Sequence, residues 1–272
     1  MSNIPARLHV LLSRDAPIGL VIRRGPSKSV ASILWNRDTD EFHVGQWLQG
    51  RIYERRSDLS PDGQYLIYFA MNGKWSSESE GSWTAISRSP YLKAIAMFPK
   101  GDCWNGGGLW TDRNTYWING GGSVLIDTAE VQRVEFEPVG GVGSECLSVY
   151  YPRLIRDGWK HTDSLDGLDA GRVDVFEKQI DRDWQLCKIA HAQTGSPEGK
   201  GCYWDEHRIV NRNLGIQFDY PDWEWAEIDG QRLVWAAGGK LFSGILGSRG
   251  LVCETELYNF NPMKFRPIKA PY

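Results

Sequence analysis

Three acidic residues mark the places where this chain could do chemistry. Asp38 and Asp112 lie in polar, turn-like stretches, and Glu206 sits in Asp205-Glu206-His207. Hydrolysis of a glycosidic bond takes one carboxyl group as acid and a second as base or nucleophile, held several ångströms apart. Asp38, Asp112 and Glu206 are far apart along the chain, so they form a catalytic set only if the fold converges them, and the favoured reading is that they are ordinary turn and surface acids. Asp219, Asp222, Glu224 and Glu227 add carboxylates nearby in sequence to Glu206. Other catalytic signatures are missing. The histidines His9, His43, His161, His191 and His207 never take HxH or HExxH spacing, so no metal site is expected. There is no Gly-x-Ser-x-Gly elbow, and Gly106-Gly107-Gly108 is not followed by the Gly-Lys-Ser/Thr of a phosphate loop. Asp163 to Asp169, DSLDGLD, carries oxygen ligands without EF-hand spacing. No cofactor is expected.

Two other clusters suit binding. Trp104-Asn105-Gly106-Gly107-Gly108-Leu109-Trp110, with Trp117 shortly after, combines ring faces that stack on a ligand with glycines that admit it to backbone N–H groups. The competing reading is a bent hairpin entry with its Trp packed between sheets. Arg51, Arg55 and Arg56, with Trp47 and Tyr53 nearby, form the densest basic and aromatic group, able to meet an acidic partner or a phosphate. The competing reading there is a solvated edge strand that carries charge to prevent edge pairing. The binding set read from sequence is therefore Trp47, Arg51, Arg55, Trp104, Asn105, Trp110 and Trp117.

Composition narrows the classes. Across 272 residues, 41% are hydrophobic and 24% charged, which is globular chemistry with enough chain for a sizeable core. A net charge of −3 gives no basic surplus for nucleic acid or an anionic membrane. No apolar run of about 20 residues is present to span a bilayer. The start, MSNIPARLHVLLSRDAP, has no basic stretch and cleavage site of the signal-peptide kind. Cys103, Cys146, Cys187, Cys202 and Cys253 are odd in number and never in a CxxC pair. That pattern predicts reduced, mostly buried thiols and a cytoplasmic location.

The elements that must position these residues read as short strands. The 13 Trp, 11 Tyr, 9 Phe and 30 Gly suit sheets filled by ring stacks and joined by glycine turns. Strands are expected at Arg7–Leu12, Gly19–Arg23, Val30–Trp35, Glu41–Val44, Gly45–Tyr53, Ser82–Ser87 and Leu92–Phe98, the last bracketed by Pro90 and Pro99. Leu109–Trp110 and Thr115–Ile118 read as a hairpin around Asp112-Arg113-Asn114. Val124–Ile126, Val131–Phe136 and Leu147–Tyr151 continue the strands, and 156–172 reads as a loop. Asp183–Ala190, Trp204–Val210, Leu214–Phe218, Trp223–Ile228, Gln231–Ala237 and Lys240–Leu246 follow.

The organising stretch is Ser57 to Met71, SDLSPDGQYLIYFAM: turn residues, then an apolar β-forming run. Asp229-Gly230 before Gln231–Ala237 echoes it, again an Asp-Gly turn ahead of an apolar strand that ends in Ala. The form LSPDGxxLxY resembles the repeat of TolB-like and WD40-like β-propellers. The resemblance implies an all-β fold, a single domain spanning 1–272 and a small β-propeller of about five blades at roughly 45–50 residues each; a β-sandwich pair is the alternative. The function expected is non-enzymatic binding of a protein or small ligand on a propeller face. The alternative is a glycoside hydrolase-like enzyme with axial carboxylates. The apolar tail, Leu257 to Phe265, is expected to dock near Leu8–Leu12 or Leu20–Ile22, anchored by Tyr258, Phe260 and Phe265.

Overall fold

The computed structural model describes residues 4–25, 28–142, 145–166, 171–195 and 197–272. Among them the chain is all-β apart from one short helix, and its strands form five sheets. It divides into two compact units.

The first unit holds Ile4, His9–Asp157 and Met263–Tyr272. Its first sheet runs β1 (Arg7–Leu12, whose first two residues count with the second unit), β2 (Ile18–Arg24), β3 (Ser29–Asn36) and β4 (Glu41–Gln49), in that spatial order. Its second runs β5 (Arg51–Leu59), β6 (Tyr65–Met71), β7 (Ser82–Arg88) and β8 (Ala94–Pro99), and its third β9 (Gly108–Trp110), β10 (Thr115–Ile118) and the two-residue β11 (Gln132–Arg133). Neighbours in sequence are neighbours in each sheet. The ladders are antiparallel except β10 with β11, which is parallel.

The second unit holds Pro5–Leu8 and Gly158–Pro262. One sheet runs β12 (Lys160–Asp166), β13 (Gly171–Gln179), β14 (Trp184–Gln193), β15 (Tyr203–Asn211) and β16 (Ile216–Tyr220); the other runs β17 (Trp225–Asp229), β18 (Arg232–Ala237), β19 (Lys240–Gly247) and β20 (Gly250–Asn259). All of these ladders are antiparallel.

The organising stretch forms as its chemistry dictates. Gly63 takes φ 77° in the turn, its N–H donates to the Ser60 carbonyl at 2.9 Å, and the Ser60 hydroxyl donates to Asp62 Oδ1 at 2.6 Å. The strand that follows, β6, is the middle of the core, with Leu66, Ile67, Tyr68, Phe69 and Ala70 all buried. One of its faces joins Leu11, Leu20, Ile22 and Trp83 in a cluster, and the other joins Ile86, Phe98, Trp110 and Tyr116. Two-sided burial explains why this strand reads as an unbroken apolar run.

Several expectations need correction. Leu147–Tyr151 is not a strand but the start of helix α1 (Leu147–Arg156). Leu147, Tyr150, Tyr151 and Leu154 recur at helical spacing and all are buried, a period that the five-residue apolar run hid. Most of 156–172 is not a loop, because β12 occupies Lys160–Asp166; its polar residues belong to a solvent-facing strand. DSLDGLD thus begins in β12, and Gly167, Leu168 and Asp169 lie outside the described residues. Strand β13, whose Val173, Val175 and Phe176 give only a weak signal, was not foreseen. Val124–Ile126 supplies one bridge, Ile126 with Met97, and the strand expected over Val131–Phe136 shrinks to β11. The five thiols are free, but only Cys146 and Cys187 are buried; Cys103 is half-buried and Cys202 and Cys253 are exposed.

The tail is anchored in each unit separately. Phe260 is fully buried, its N–H donates to the Gly239 carbonyl at 3.0 Å, and Asn261 Oδ1 accepts from the Ala6 N–H at 2.9 Å. Further on, Arg23 donates to the Met263 carbonyl at 3.2 Å, Phe265 meets the Trp47 ring edge-on at 5.9 Å, and Gln46 donates to the Ile268 carbonyl at 2.8 Å. Tyr258 and Phe265 keep over a third of their surface exposed, so Phe260 is the principal anchor.

Candidate functional site

Strand β5 breaks its ladder on β6. Tyr53 faces Phe69 and Asp58 faces Ile67, so Glu54–Ser57 bulge out opposite the single residue Tyr68. A bulge frees backbone groups and re-aims side chains. Here it turns Glu54, Arg55, Arg56 and Ser57 inward, and all four are buried.

Arg56 is fully buried, and every nitrogen of its guanidinium has a partner. Nη1 donates to the carbonyls of Cys103 and Asn105, both at 2.7 Å, Nη2 to Glu145 at 2.9 Å and Nε to Cys146 Sγ at 3.3 Å. The group also lies 4.8 Å from the ring centroids of Tyr53 and Phe69. Arg55 stacks over Tyr150 at 5.1 Å. Helix α1 seals the bulge from the other side. Arg153 donates to the Ser57 and Glu54 carbonyls and, at 2.7 Å, to His9 Nε2, which places the imidazole proton on Nδ1. Arg156 grips both carboxylate oxygens of Asp58, at 2.5 and 2.9 Å. Burial pushes the Glu54 carboxyl up, yet Arg24, 2.9 Å away, and Arg55 outweigh it and hold the group below the ordinary range. At Asp157 burial prevails and the carboxyl is raised despite Arg156. Burial opposes the Arg156 charge, but Asp58 and Asp157 keep its affinity for the proton above the ordinary value.

This buried scaffold presents a loop. Gly106 and Gly107 have φ 101° and 75°. A Cβ on Gly106 would strike the Phe69 ring and one on Gly107 would strike the Arg56 carbonyl, so the glycines exist to lay backbone directly on β5 and β6. Gly107 N–H donates to Thr84 Oγ1 at 2.8 Å, and Gly106 N–H to the Asn119 carbonyl at 2.9 Å. The bent-hairpin reading therefore explains the glycines, but Trp104 is not packed away: it is 66% exposed, and Asn105 is exposed beside it. The neighbouring loop between β6 and β7 joins the same end through the Ser82 hydroxyl, which donates to the Asp102 carbonyl at 2.6 Å. It carries Trp75, 54% exposed, with its ring against Gly81. Arg51, exposed at the start of β5 and 4.5 Å from the Tyr53 ring centroid, completes the group.

Of the residues singled out from sequence, Arg51, Trp104 and Asn105 are exposed at this end, whereas Arg55 is buried in the bulge against Tyr150. Arg55 and Arg56 are not solvated edge charges but interior cations. Trp47 is half-buried between Arg23 and Phe265. Trp110 is fully buried between Tyr65 and Tyr116, and Trp117 is half-buried on β10. Asp38 and Asp112 are exposed in the turns joining β3 to β4 and β9 to β10. Glu206 is half-buried on β15, 3.8 Å from His191. Sequence reasoning missed Trp75, Arg153 and Arg156. The two arginines carry a signal only once α1 is read as a helix, where i and i+3 share a face.

In the second unit, His161, Ser164 and Asp174 come together, but not as a nucleophilic relay. The one nitrogen Nε2 faces both Ser164 Oγ at 3.1 Å and Asp174 Oδ1 at 2.9 Å, and the Ser164 hydroxyl donates directly to Asp174 at 2.5 Å. A relay uses the two ring nitrogens for different partners. Among the described residues no group of three or more His, Cys, Asp or Glu side chains is placed to hold a metal ion, and no helix is long and apolar enough to cross a membrane. A scan against models of protein families finds no match to the chain, and a search of curated proteins finds none.

Proposed function

We propose that this chain is a non-enzymatic binding protein, that its five sheets are the blades of a small β-propeller, and that the loop end carrying Arg51, Trp75, Trp104 and Asn105 is its binding face. The observation that carries the binding reading is Trp104: a large apolar ring two-thirds in water, on a loop pinned beneath by a fully buried arginine. Folding gains little from such a ring, whereas aromatic side chains held rigidly at a surface are the usual anchors of recognition.

The propeller reading is supported by repetition. Each sheet is a sequential meander, and the turn joining first to second strand carries Asp15, Asp62 and Asp112 in three of them, while in a fourth Asp229 ends the first strand just before the turn. Within the first unit those turns meet: the Asp15 N–H donates to the Pro61 carbonyl at 2.8 Å, and Arg113 reaches the Asp15 carboxylate at 3.3 Å. Blades fanned about one axis bring equivalent turns together in this way. Asp112 is then a turn acid of the repeat. The free thiols suit a reducing compartment, so we place the protein in the cytoplasm. The partner is a protein or small ligand with an apolar surface for the Trp rings and an acceptor for Arg51, not nucleic acid or a membrane.

The test compares capture from the native host by the wild-type protein and by Trp104→Ala and Trp75→Ala. A partner lost with either variant, at unchanged melting temperature, supports the reading. Capture that neither variant alters would refute it.

A further inference from the structure

We propose that His9 is an acid-operated latch on helix α1: its imidazole holds Arg153 only while neutral, and a proton on it releases the helix from the β5 bulge. His9 on β1 and Arg153 on α1 are 4% and 5% exposed, and His9 Nε2 lies 2.7 Å from Arg153 Nη2. Burial lowers the proton affinity of Arg153, but a guanidinium has no acceptor and stays charged. The hydrogen bond therefore runs one way, from Nη2 to the Nε2 lone pair. A proton on Nε2 occupies that lone pair, breaks the bond and sets two cations against each other out of water, where charges repel most strongly.

The surroundings do not relieve that repulsion. On β5, Glu54 is paired with Arg24 of β2 at 2.9 Å and held also by Arg55, and Asp58 is gripped by Arg156. At the end of α1, Asp157 accepts from Arg156 at 2.9 Å. Arg24, Arg55, Arg153 and Arg156 thus already outnumber Glu54, Asp58 and Asp157 before His9 takes a proton. Tyr150 meets the His9 ring edge-on at 6.1 Å, and its own ring is shared by two cations, Arg55 at 5.1 Å and Arg153 at 5.3 Å. Arg153 is also what α1 offers the bulge, since its Nη1 serves the Glu54 and Ser57 carbonyls. A guanidinium driven from His9 moves as one plane, so both carbonyls lose their donor with it. An imidazole in water takes its proton near pH ~6.5. The closed seam excludes that proton and the open seam admits it. Closure is therefore complete above that value and weakens as pH falls, by about tenfold in the equilibrium per pH unit. The carboxylates do not mimic this slope above about pH 5. The folded Glu54 carboxyl lies below the ordinary 4.5 and stays ionised there, and burial raises Asp157, so acid favours the closed form at that group. The latch stands apart from the binding reading, and its test uses no ligand.

Hydrogen exchange of the α1 amides is followed on the full-length protein from about pH 7.5 to about pH 5, corrected for the intrinsic pH dependence of exchange. The expected result is protection that is constant above about pH 7 and falls about tenfold per pH unit below about pH 6.5. That fall should vanish in His9→Gln and persist in His43→Gln, His43 being exposed on β4. In parallel, NMR of the wild-type ring nitrogens should show His9 neutral, with its proton on Nδ1, for as long as α1 is protected. The proposal is overturned if α1 protection is unchanged over this range, if His9→Gln keeps the fall, or if His9 becomes an imidazolium while α1 stays protected. The ring measurement is made on the wild-type chain, so it decides whether or not His9→Gln folds.

Discussion

Replacing Arg56 by Met keeps most of the side-chain volume and removes the guanidinium. Two carbonyls, of Cys103 and Asn105, then lose donors at 2.7 Å. A buried acceptor left without a partner costs about 1–3 kcal/mol, so the two together cost about 2–6 kcal/mol if both stay out of water. The Glu145 pair adds little: that side chain is 28% exposed and turns to water when its partner goes, so its share stays within about 1 kcal/mol. Loss of the cation over Tyr53 and Phe69 adds roughly 0.5–1 kcal/mol for each ring, partly offset by the apolar contacts that Met restores. The expected loss is about 3–5 kcal/mol, read as a lower urea midpoint at unchanged slope, followed by tryptophan fluorescence. Glu145→Gln alone should cost under about 1 kcal/mol. The reasoning fails if Arg56→Met costs less than about 1 kcal/mol, or if Glu145→Gln costs as much as Arg56→Met. The latter would place the energy in the ion pair and not in the carbonyls.

Phe69 is fully buried in β6 against Tyr53 and Gly106, so Phe69→Ala should cost about 3–5 kcal/mol in the same melts; a loss under about 1 kcal/mol would mean that the strand is not core. Glu54 has its folded pKa below the ordinary 4.5, so the stability it supplies is complete above that value and drains away as pH falls through the folded pKa. The gap between wild type and Glu54→Gln should therefore be widest at neutral pH and close below pH 4.5, and a gap that widens on acidification would reverse the sign argued here. Removing residues 263–272 strips the contacts to Arg23, Gln46 and Trp47 and those of Tyr272, whose hydroxyl accepts from the Arg88 N–H at 3.1 Å. The truncated chain should melt lower or aggregate, and an unchanged melting temperature would show that the segment contributes nothing.

What was legible in the sequence was local. The Ser60-Pro61-Asp62-Gly63 turn and the β6 run are adjacent in the chain and encode one another, and so do Asp229-Gly230 and β18. Most of Leu92–Phe98, where helix formers compete, still forms β8, which begins at Ala94 and runs into Pro99. What was not legible depended on distant partners. Arg55 and Arg56 carry the same charge whether solvated or buried, and only the bulge at Glu54–Ser57, which no local pattern announces, decides the matter. Trp104 and Trp110 are six residues apart in one glycine-rich run, yet one stands in water and the other is sealed between two tyrosines. Leu147–Tyr151 is too short a run to separate strand from helix by its period. The helix needed Leu154, three residues beyond its last apolar residue, to declare its spacing.

The misread helix and the misread arginines are one problem. A ladder interrupted between Tyr53 and Asp58 leaves carbonyls that β6 no longer serves, and buried carbonyls need donors. Within the strand, the Ser57 hydroxyl reaches back to the Tyr53 carbonyl at 3.2 Å. Further donors come from α1, about a hundred residues later: Arg153 serves the Glu54 and Ser57 carbonyls, and Arg156 holds Asp58. Both arginines lie in the last turns of α1, where a positive charge also complements the helix dipole. Helix and bulge are therefore mutually required, since without α1 the bulge buries unmet acceptors and without the bulge α1 buries unmet cations. Arg56, on the other side of the same bulge, transmits this constraint to the Cys103–Gly107 loop. The orientation of Trp104 thus rests on a polar seam whose parts are scattered from Arg24 to Asp157.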